Sequence, residues 1–568
     1  MPKSGRLFNR QLGLTGIILV GLILFFFIFF LIWPTGYVFY RALVKDGSLS
    51  LLFFSLLFRD PLILESVINS LLIAGLVTIF SVGLGTITAE LLERWDFTGR
   101  RVFKILFLAP IVLPPFVGAV GIRQVLARYG PVNLLLMKLG FLDMRQPIDW
   151  LGSSGFFGIV ILQTITLTPV VFLNVSAAMR RVDSVLYDAA FSFGSSRWRV
   201  FWTITLPLIM PGIFAGGSIA FIWSFTDLGT PLVFGFSSVV AVRIFDALME
   251  INIEPAGYAL VVIVLLLSMT FFLIARRFAG TIGYEMAGAG PVSAAKNIGR
   301  MRSLLLWVVF TPFFMFSLSP HISVIVNSLA GHWFFSVLPN EFTIEHYMAL
   351  FSNELTTVSI RNSLFYAFCS AWVDLFLGVV IAWLVIRCRA IGSQILDILA
   401  MFPLALPGIV LAFGYVAAFN FNVSLLNPRQ NPVLLLIMSY AIRRLPYMIR
   451  SATAGFQQSS LLLEEASAMV GVGPIKSFFH ITLPLMMPHL VAGYIMVFAF
   501  ALLEVSDSLI LAMRQPFFPI TKAIWLLVGR IDSSATGEAC ALGVVGMFLL
   551  ALCFVVLHEL TRPEKARY

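Results

Sequence analysis

Asp188-Ala189-Ala190-Phe191-Ser192-Phe193-Gly194, closed by Ile204-Thr205-Leu206-Pro207, returns as Glu465-Ala466-Ser467-Ala468-Met469-Val470-Gly471, closed by Ile481-Thr482-Leu483-Pro484. Each copy has an acidic residue, then Ala, then Ala or Ser, then three residues before Gly and nine more before Ile-x-Leu-Pro. Both fall in a polar, basic stretch ahead of a long apolar run. The composition predicts a short helix, a turn and a second helix at a membrane surface. Ala favours helix and leaves a small-residue face. Gly194 and Gly471 suit the left-handed turn that ends a helix. Ser195 or Ser196 suits the cap of the next helix, and Pro474 its first turn. An exposed helix–turn–helix with a fixed acidic residue is a docking element for a basic partner.

The repetition extends beyond the loops. Asn69-Ser70-Leu71 reappears as Asn362-Ser363-Leu364 at an offset of 293, which also carries Pro110 to Pro403 and Pro114 to Pro407. After a shorter connection the offset becomes 277, matching Leu206-Pro207 to Leu483-Pro484 and Asp227 to Glu504. The order is direct, so the halves share one orientation about an axis along the membrane normal.

Composition agrees. Of 568 residues, 59% are hydrophobic and 12% charged, against about 25% charged in soluble chains. A soluble enzyme, a disordered chain and a nucleic-acid-binding protein are excluded. A span needs about 20 apolar residues. Twelve windows qualify: roughly 12–40, 62–92, 104–127, 154–178, 207–236, 256–278, 303–328, 358–387, 394–419, 431–454, 484–513 and 538–560. The fold class is all-α membrane protein, two parallel six-helix repeats. The divisions are 1–278 for the first half, 279–301 for a Gly/Ala/Ser-rich cytoplasmic linker and 302–568 for the second half.

Net charge is +10, and its distribution orients the chain. Arg94, Arg100, Arg101, Arg180, Arg181, Arg197, Arg199, Arg387, Arg443, Arg444 and Arg450 are assigned to one side, with both tails. Termini and motif loops are therefore expected in the cytoplasm. Lys3, Arg6 and Arg10 precede a run too long for a cleaved signal, which reads as a retained first span. Cys369, Cys388, Cys540 and Cys553 show no CxxC spacing and read as buried free thiols. The six His have no ligand-like spacing, so no metal site is expected.

The paired pattern resembles the EAA motif of permease subunits of bacterial ABC importers. The resemblance covers nearly the whole chain, once per half, and is nearest to fused ferric iron permeases. Thiamine and 2-aminoethylphosphonate permeases are similar. It implies a type I importer permease architecture and a role as transport subunit, not enzyme. Ferric iron is the expected cargo, with 2-aminoethylphosphonate, thiamine, a polyamine or a sugar phosphate as alternatives. It further implies coupling loops seated on two copies of an ABC ATPase subunit through Asp188, Ala189, Ala190, Gly194, Glu465, Ala466, Ser467 and Gly471. Asp188 departs from the family's Glu, so its contact is expected to be weaker or displaced. An extracytoplasmic substrate-binding protein would deliver cargo at the bacterial inner membrane.

No G-x-x-x-x-G-K followed by Ser or Thr occurs, so no phosphate-cradling loop of the usual kind is present. ATP and Mg belong to the partner ATPase, and no cofactor is expected on this chain. A secondary transporter is the competing class, but it has no use for two registered docking motifs.

Ionisable residues within spans default to functional hypotheses. Asp227 and Glu504 are equivalent and are expected to face each other across the axis as candidate pathway residues. Leu228-Gly229-Thr230-Pro231 breaks the helix after Asp227, while Val505-Ser506-Asp507-Ser508 follows Glu504. Glu90 and Asp374 are expected in structural pairs. Asn69 and Asn362 are expected to cap the spans they begin, and the four prolines to kink or start the third spans.

Overall fold

The computed structural model describes residues 13–45, 47–112, 115–152, 155–249, 255–280, 296–333, 335–388, 392–419 and 424–561. The basic N-terminal residues, the C-terminal tail beyond 561, most of the 279–301 linker and Pro114 lie outside them. Strand pairing among the described residues is confined to three ladders of two or three residues per strand. Everything else regular is helix, because a helix satisfies its own backbone in lipid.

Spans 1 and 2 are Gly16–Leu43 and Pro61–Arg94; spans 4 to 6 are Phe156–Met179, Arg197–Phe225 and Ala256–Ile274. In the second half, spans 7 and 8 are Arg300–Ser328 and Glu354–Cys388, and spans 11 and 12 are Phe478–Leu502 and Ser534–Leu560. Spans 3 and 9 are bent. Arg100–Val112 meets Pro115–Val125 at 101°, and Ser393–Leu404 meets Gly408–Ala418 at 105°. Pro110 and Pro403 sit in 3-10 turns at these bends. Pro407 precedes the second arm of span 9. Span 10 is the helix Val433–Gln458. It corresponds to the expected window 431–454 and carries Arg443, Arg444 and Arg450 within its length.

Two expected spans are shorter at their far ends. The run 207–236 ends as helix at Phe225 and resumes as Gly229–Phe234. The run 484–513 ends at Leu502 and resumes as Ser506–Leu511. The second break contains no proline, so the Pro231 signal was not required. At the near ends both helices start earlier than Leu-Pro. Five-residue π turns, Phe201–Thr205 and Phe478–Thr482, lead into Pro207 and Pro484. A widened turn accommodates the proline's missing N–H.

Within each half, spans 2, 4 and 5 (or 8, 10 and 11) pack around one knob. Val171 is held between Gly85 and Gly216, and Met448 between Gly378 and Gly493. A Cβ on Gly216 would stand 2.8 Å from Val171 Cα, and one on Gly378 2.7 Å from Met448 Cγ. Small residues allow this approach where lipid supplies no hydrophobic drive between helices.

The first span of each half crosses to the other half. Span 7 lies on span 3, with Phe103 against Trp307, Phe310 and Phe314. Span 1 lies on span 9, where the Tyr415 hydroxyl donates to Phe30 O at 2.8 Å. The two crossings are equivalent. A Cβ on Gly121 would fall 2.5 Å from Pro320 O, and one on Gly414 3.0 Å from Pro34 O. The linker's end also returns to the first half, since Lys296–Asn297 pairs in parallel with Trp95–Asp96.

Gly121→Ala should therefore destabilise the detergent-solubilised chain by about 1–3 kcal/mol, the usual range for overpacking. Gly414→Ala should cost less. Gly83→Ala, whose Cβ would meet nothing within 4 Å, should cost nothing measurable. Equal thermal melting of all three variants would contradict the crossing.

Candidate functional site: two surface loops and the cavity on the axis

The paired loops fold alike. Helix Ser184–Ser192 is capped by Asp183, whose carboxylate accepts from Val185 N at 2.9 Å. Helix Leu461–Met469 is capped by Ser460, accepting from Leu462 N at 3.3 Å. Both end in a left-handed glycine, Gly194 at φ 75° and Gly471 at φ 82°. The following amide reaches back to close the turn: Ser195 N to Ala190 O and Val472 N to Ser467 O, both 3.1 Å. That wrapped C-terminus is why glycine recurs four residues after the Ala/Ser position. Ser196, not Ser195, caps the next helix by accepting from Arg199 N at 3.3 Å.

Asp188, Ala189 and Ala466 are exposed, while Ala190 and Glu465 are half-buried. Ser467 is buried, donating to Ser477 Oγ at 2.7 Å. The tips are apolar: Phe193 is 90% exposed, Met469 89% and Val470 79%. In helix 461–469 the carboxylate that points inward belongs to Glu464, which is buried.

On the axis the paired elements enclose a cavity of about 260 Å³. The bends of spans 3 and 9 line it through Pro115 and Pro407, and the breaks of spans 5 and 11 through Asp227 and Glu504. Asp227 and Glu504 thus reach one space, with different surroundings. Asp227 Oδ2 accepts from Gln163 Nε2 at 2.8 Å and Oδ1 from Gly229 N at 3.1 Å. Both partners are neutral. Glu504 is bonded by the guanidinium groups of Arg443 and Arg444. Arg443 also meets Asp507 at 3.1 Å. Arg444 donates to Phe500 O at 2.9 Å. Gly408 opens the second arm of span 9, where a Cβ would stand inside the Arg443 guanidinium.

At the breaks the halves touch. A Cβ on Gly229 would lie 2.9 Å from Val505 Cγ1 and 3.0 Å from Phe116 Cβ. The cavity extends from this contact toward Trp223, Tyr447 and Phe500. These residues lie on the loop side of Asp227 and Glu504, so the closed contact stands on the far side.

Several expectations change. Arg443 and Arg444 are not loop residues; they sit mid-helix in the core of the second half. Glu90 pairs as expected, with Arg94 at 2.7 Å. Asp374 does not: among the described residues its buried carboxylate accepts no hydrogen bond, though Arg444 on span 10 is near enough to act on it electrostatically. Asn69 and Asn362 lie inside their spans and secure a different helix. Asn69 Nδ2 donates to Ser238 O at 3.1 Å while Ser70 Oγ accepts from Val240 N at 2.9 Å. Asn362 Nδ2 donates to Phe518 O at 3.2 Å while Ser363 Oγ accepts from Ile520 N at 2.8 Å. Each Asn-Ser pair therefore caps the helix between the last two spans of its half, Val240–Met249 or Ile520–Val528. The four cysteines are free thiols.

Comparison with known proteins matches this arrangement. Residues 81–283 and 374–566 each match the binding-protein-dependent transport system inner membrane component family. A ferric transport system permease protein FbpB of Actinobacillus pleuropneumoniae is 27% identical over 97% of this chain and 79% of its own length. A putative ferric transport system permease protein FbpB 1 of Haemophilus influenzae is 28% identical over 85% of this chain and 76% of its own. The molybdenum transport system permease protein ModB of Escherichia coli is 32% identical, 39% of this chain covering 96% of it. A single-half relative thus matches one half here. With two family matches spanning more than half its length, the chain belongs to the binding-protein-dependent transport system inner membrane components, as a fused, multi-pass inner-membrane permease subunit of an ABC importer.

Proposed function

We propose that this permease carries ferric iron, released by an extracytoplasmic binding protein, and that two copies of an ABC ATPase seated on the paired loops drive it. The observation that carries the cargo assignment is the likeness to ferric permeases along nearly the whole chain. The cavity suits it. Glu504 and Asp507 together balance Arg443 and Arg444, whereas Asp227 faces the cavity with neutral hydrogen-bond partners only. A carboxylate without a counter-ion favours a cation over an anion in a low-dielectric space. Iron here is cargo, passing Asp227 without a resident site.

The loops supply the drive. Their apolar tips, Phe193 and Val470, are poorly suited to water and well suited to a groove on a partner. Asp188, Ala189, Ala190 and Gly194 in one loop, and Glu465, Ala466, Ser467 and Gly471 in the other, form the seat. Asp188 and Glu465 stand where a basic group of the ATPase would meet them. The basic residues beside the loops, Arg180, Arg181, Arg197 and Arg199, favour the cytoplasmic side for this face, and with it both termini. In that orientation the cavity lies on the inner side of the Gly229–Val505 contact, which stands as the outer seal.

Labelled ferric iron uptake under iron limitation tests the cargo. Loss on deletion of the gene, restored by its return, is expected. Unchanged iron uptake would transfer the assignment to an organic solute such as a phosphonate, thiamine or a polyamine. Asp227→Asn should lower the uptake rate by about tenfold, the scale of one lost charge contact, with ATPase still bound; wild-type kinetics would remove Asp227 from the path. Glu465→Lys should release the ATPase from membranes and abolish uptake while the chain remains inserted. Normal uptake by that variant would refute the docking seat.

A further inference from the structure

The long second helix of each half ends in an arginine, Arg94 on span 2 and Arg387 on span 8, at positions 293 apart. Each reaches the loop of its own half, and they hold it differently. Arg387 Nε lies 3.2 Å from Glu464 Oε1 as an ion contact. Its Nη2 donates to Phe456 O at 3.0 Å, Ser459 O at 2.8 Å and Ser459 Oγ at 2.7 Å. Thr482 Oγ1 donates to the same Glu464 oxygen at 3.0 Å. One buried ion pair thus gathers span 8, the end of span 10, the loop helix and the π turn of span 11.

The first half has the arginine and the threonine without a carboxylate on the loop helix; its cross-element ion pair runs instead from Glu93 of span 2 to the half-exposed Arg180 at the end of span 4, at 2.8 Å, and stops short of the loop helix. Arg94 Nη2 donates to Thr205 Oγ1 at 2.5 Å. Tyr187 occupies the Glu464 position, and its ring lies 4.3 Å from the Arg94 guanidinium carbon. The carboxylate beside Arg94 is Glu90. Because Glu90 belongs to the same helix, that ion pair ties nothing to the loop. A stacked ring is the weaker tether, since a buried ion pair broken on one side leaves an uncompensated charge.

Span 8 has a second attachment at its other end. Asn362 and Ser363 hold the backbone of the 516–520 segment, and the Tyr366 hydroxyl adds a bond to Phe517 O at 3.2 Å. The equivalent of Tyr366 in span 2 is Ile73, which cannot donate; there Arg243 Nε donates to Ser66 Oγ at 3.3 Å instead. Twenty-five helical residues separate Asn362 from Arg387, about 38 Å at 1.5 Å per residue. A stiff helix with polar attachments at both ends joins the second loop to the far-side segment beside the seal.

We propose that Arg387 and Glu464 are positioning residues that transmit the ATPase stroke from the second loop through span 8 to the far-side seal, making the second half the dominant drive and the first half the compliant one. The inference rests on the docking of an ATPase at the loops. It differs from that reading in assigning the coupling to Glu464, which faces inward, and not to Glu465. Neither residue touches cargo.

The test uses the full chain purified with its ATPase and binding protein, with nitroxide labels on Gln146→Cys and Arg530→Cys, exposed far-side positions in the first and second halves. A non-hydrolysable ATP analogue should separate the labels in the otherwise unaltered complex. Glu464→Gln keeps the side chain's shape and its bond from Thr482. It should retain the ATPase yet cut the analogue-driven open fraction about tenfold, within the usual range of coupling energies. Arg387→Lys, which keeps the charge, should recover part of the shift lost in Arg387→Gln. Arg94→Gln should lose distinctly less than Arg387→Gln. An undiminished shift in Glu464→Gln and Arg387→Gln with ATPase bound, or a larger loss in Arg94→Gln, would overturn the inference while leaving the docking intact. Failure of the unaltered chain to retain any ATPase would overturn the docking and this inference together.

Discussion

The carbonyl of Pro320 resting on Gly121, with its counterpart of Pro34 on Gly414, is the contact on which the arrangement depends. In lipid, apolar side chains gain nothing by leaving one hydrocarbon environment for another, so helices associate through close packing and polar contacts. A glycine in span 3 and another in span 9 let a foreign span lie directly on the backbone. Each half thereby lends its first helix to the other. The bends of spans 3 and 9 are held against that borrowed helix, and they form two walls of the central cavity. A shift at either crossing would displace Pro115 or Pro407, and with them the seal at Gly229 and Val505.

Around this symmetric frame the charges are distributed unequally. Val171 and Met448 fill equivalent positions, as do Thr205 and Thr482, and the Asn-Ser pairs do the same capping work twice. Yet Arg443, Arg444, Glu504, Asp507, Asp374 and Lys522 all belong to the second half. Lys522 is buried there too, donating to Leu509 O at 2.7 Å beside the Trp525 ring. The equivalent face of the first half is Gln163, Ser224 and a solitary Asp227. Buried ionic groups resist rearrangement when one partner is withdrawn. The second half therefore carries the buried ionic network, and the first half the one cavity carboxylate, Asp227, whose hydrogen-bond partners are all neutral.

The repeat was legible because it is written in residues with narrow backbone meaning. Leu-Pro, Asn-Ser and the loop glycines keep their spacing, and the structure uses each pair alike. The third-span bends were legible from paired prolines. The place of Arg443 and Arg444 was not, because the positive-inside rule assigns an Arg-Arg pair to the cytoplasmic side even where the window 431–454 encloses it; their partners lie about 60 residues away in sequence and meet them only after folding. The break before Ser506 carries no proline or glycine, and its Val505 packs beside Gly229 of the other half. Glu464 was hidden by adjacency to Glu465: the loop pattern marks the outward residue, and nothing local distinguishes the inward one. Asn69 and Asn362 were seen as caps, but the helices they cap lie well over a hundred residues away.

If one chain supplies both walls of the cavity and both loops, it should bind ATPase without a second copy of itself. Native mass spectrometry of the complex extracted from membranes measures this directly. The proposed docking of an ATPase at each loop predicts one copy of this chain with two ATPase subunits. Two copies of the chain in the transporting complex would contradict the account, because the crossings at Gly121 and Gly414 already close the seam within a single polypeptide.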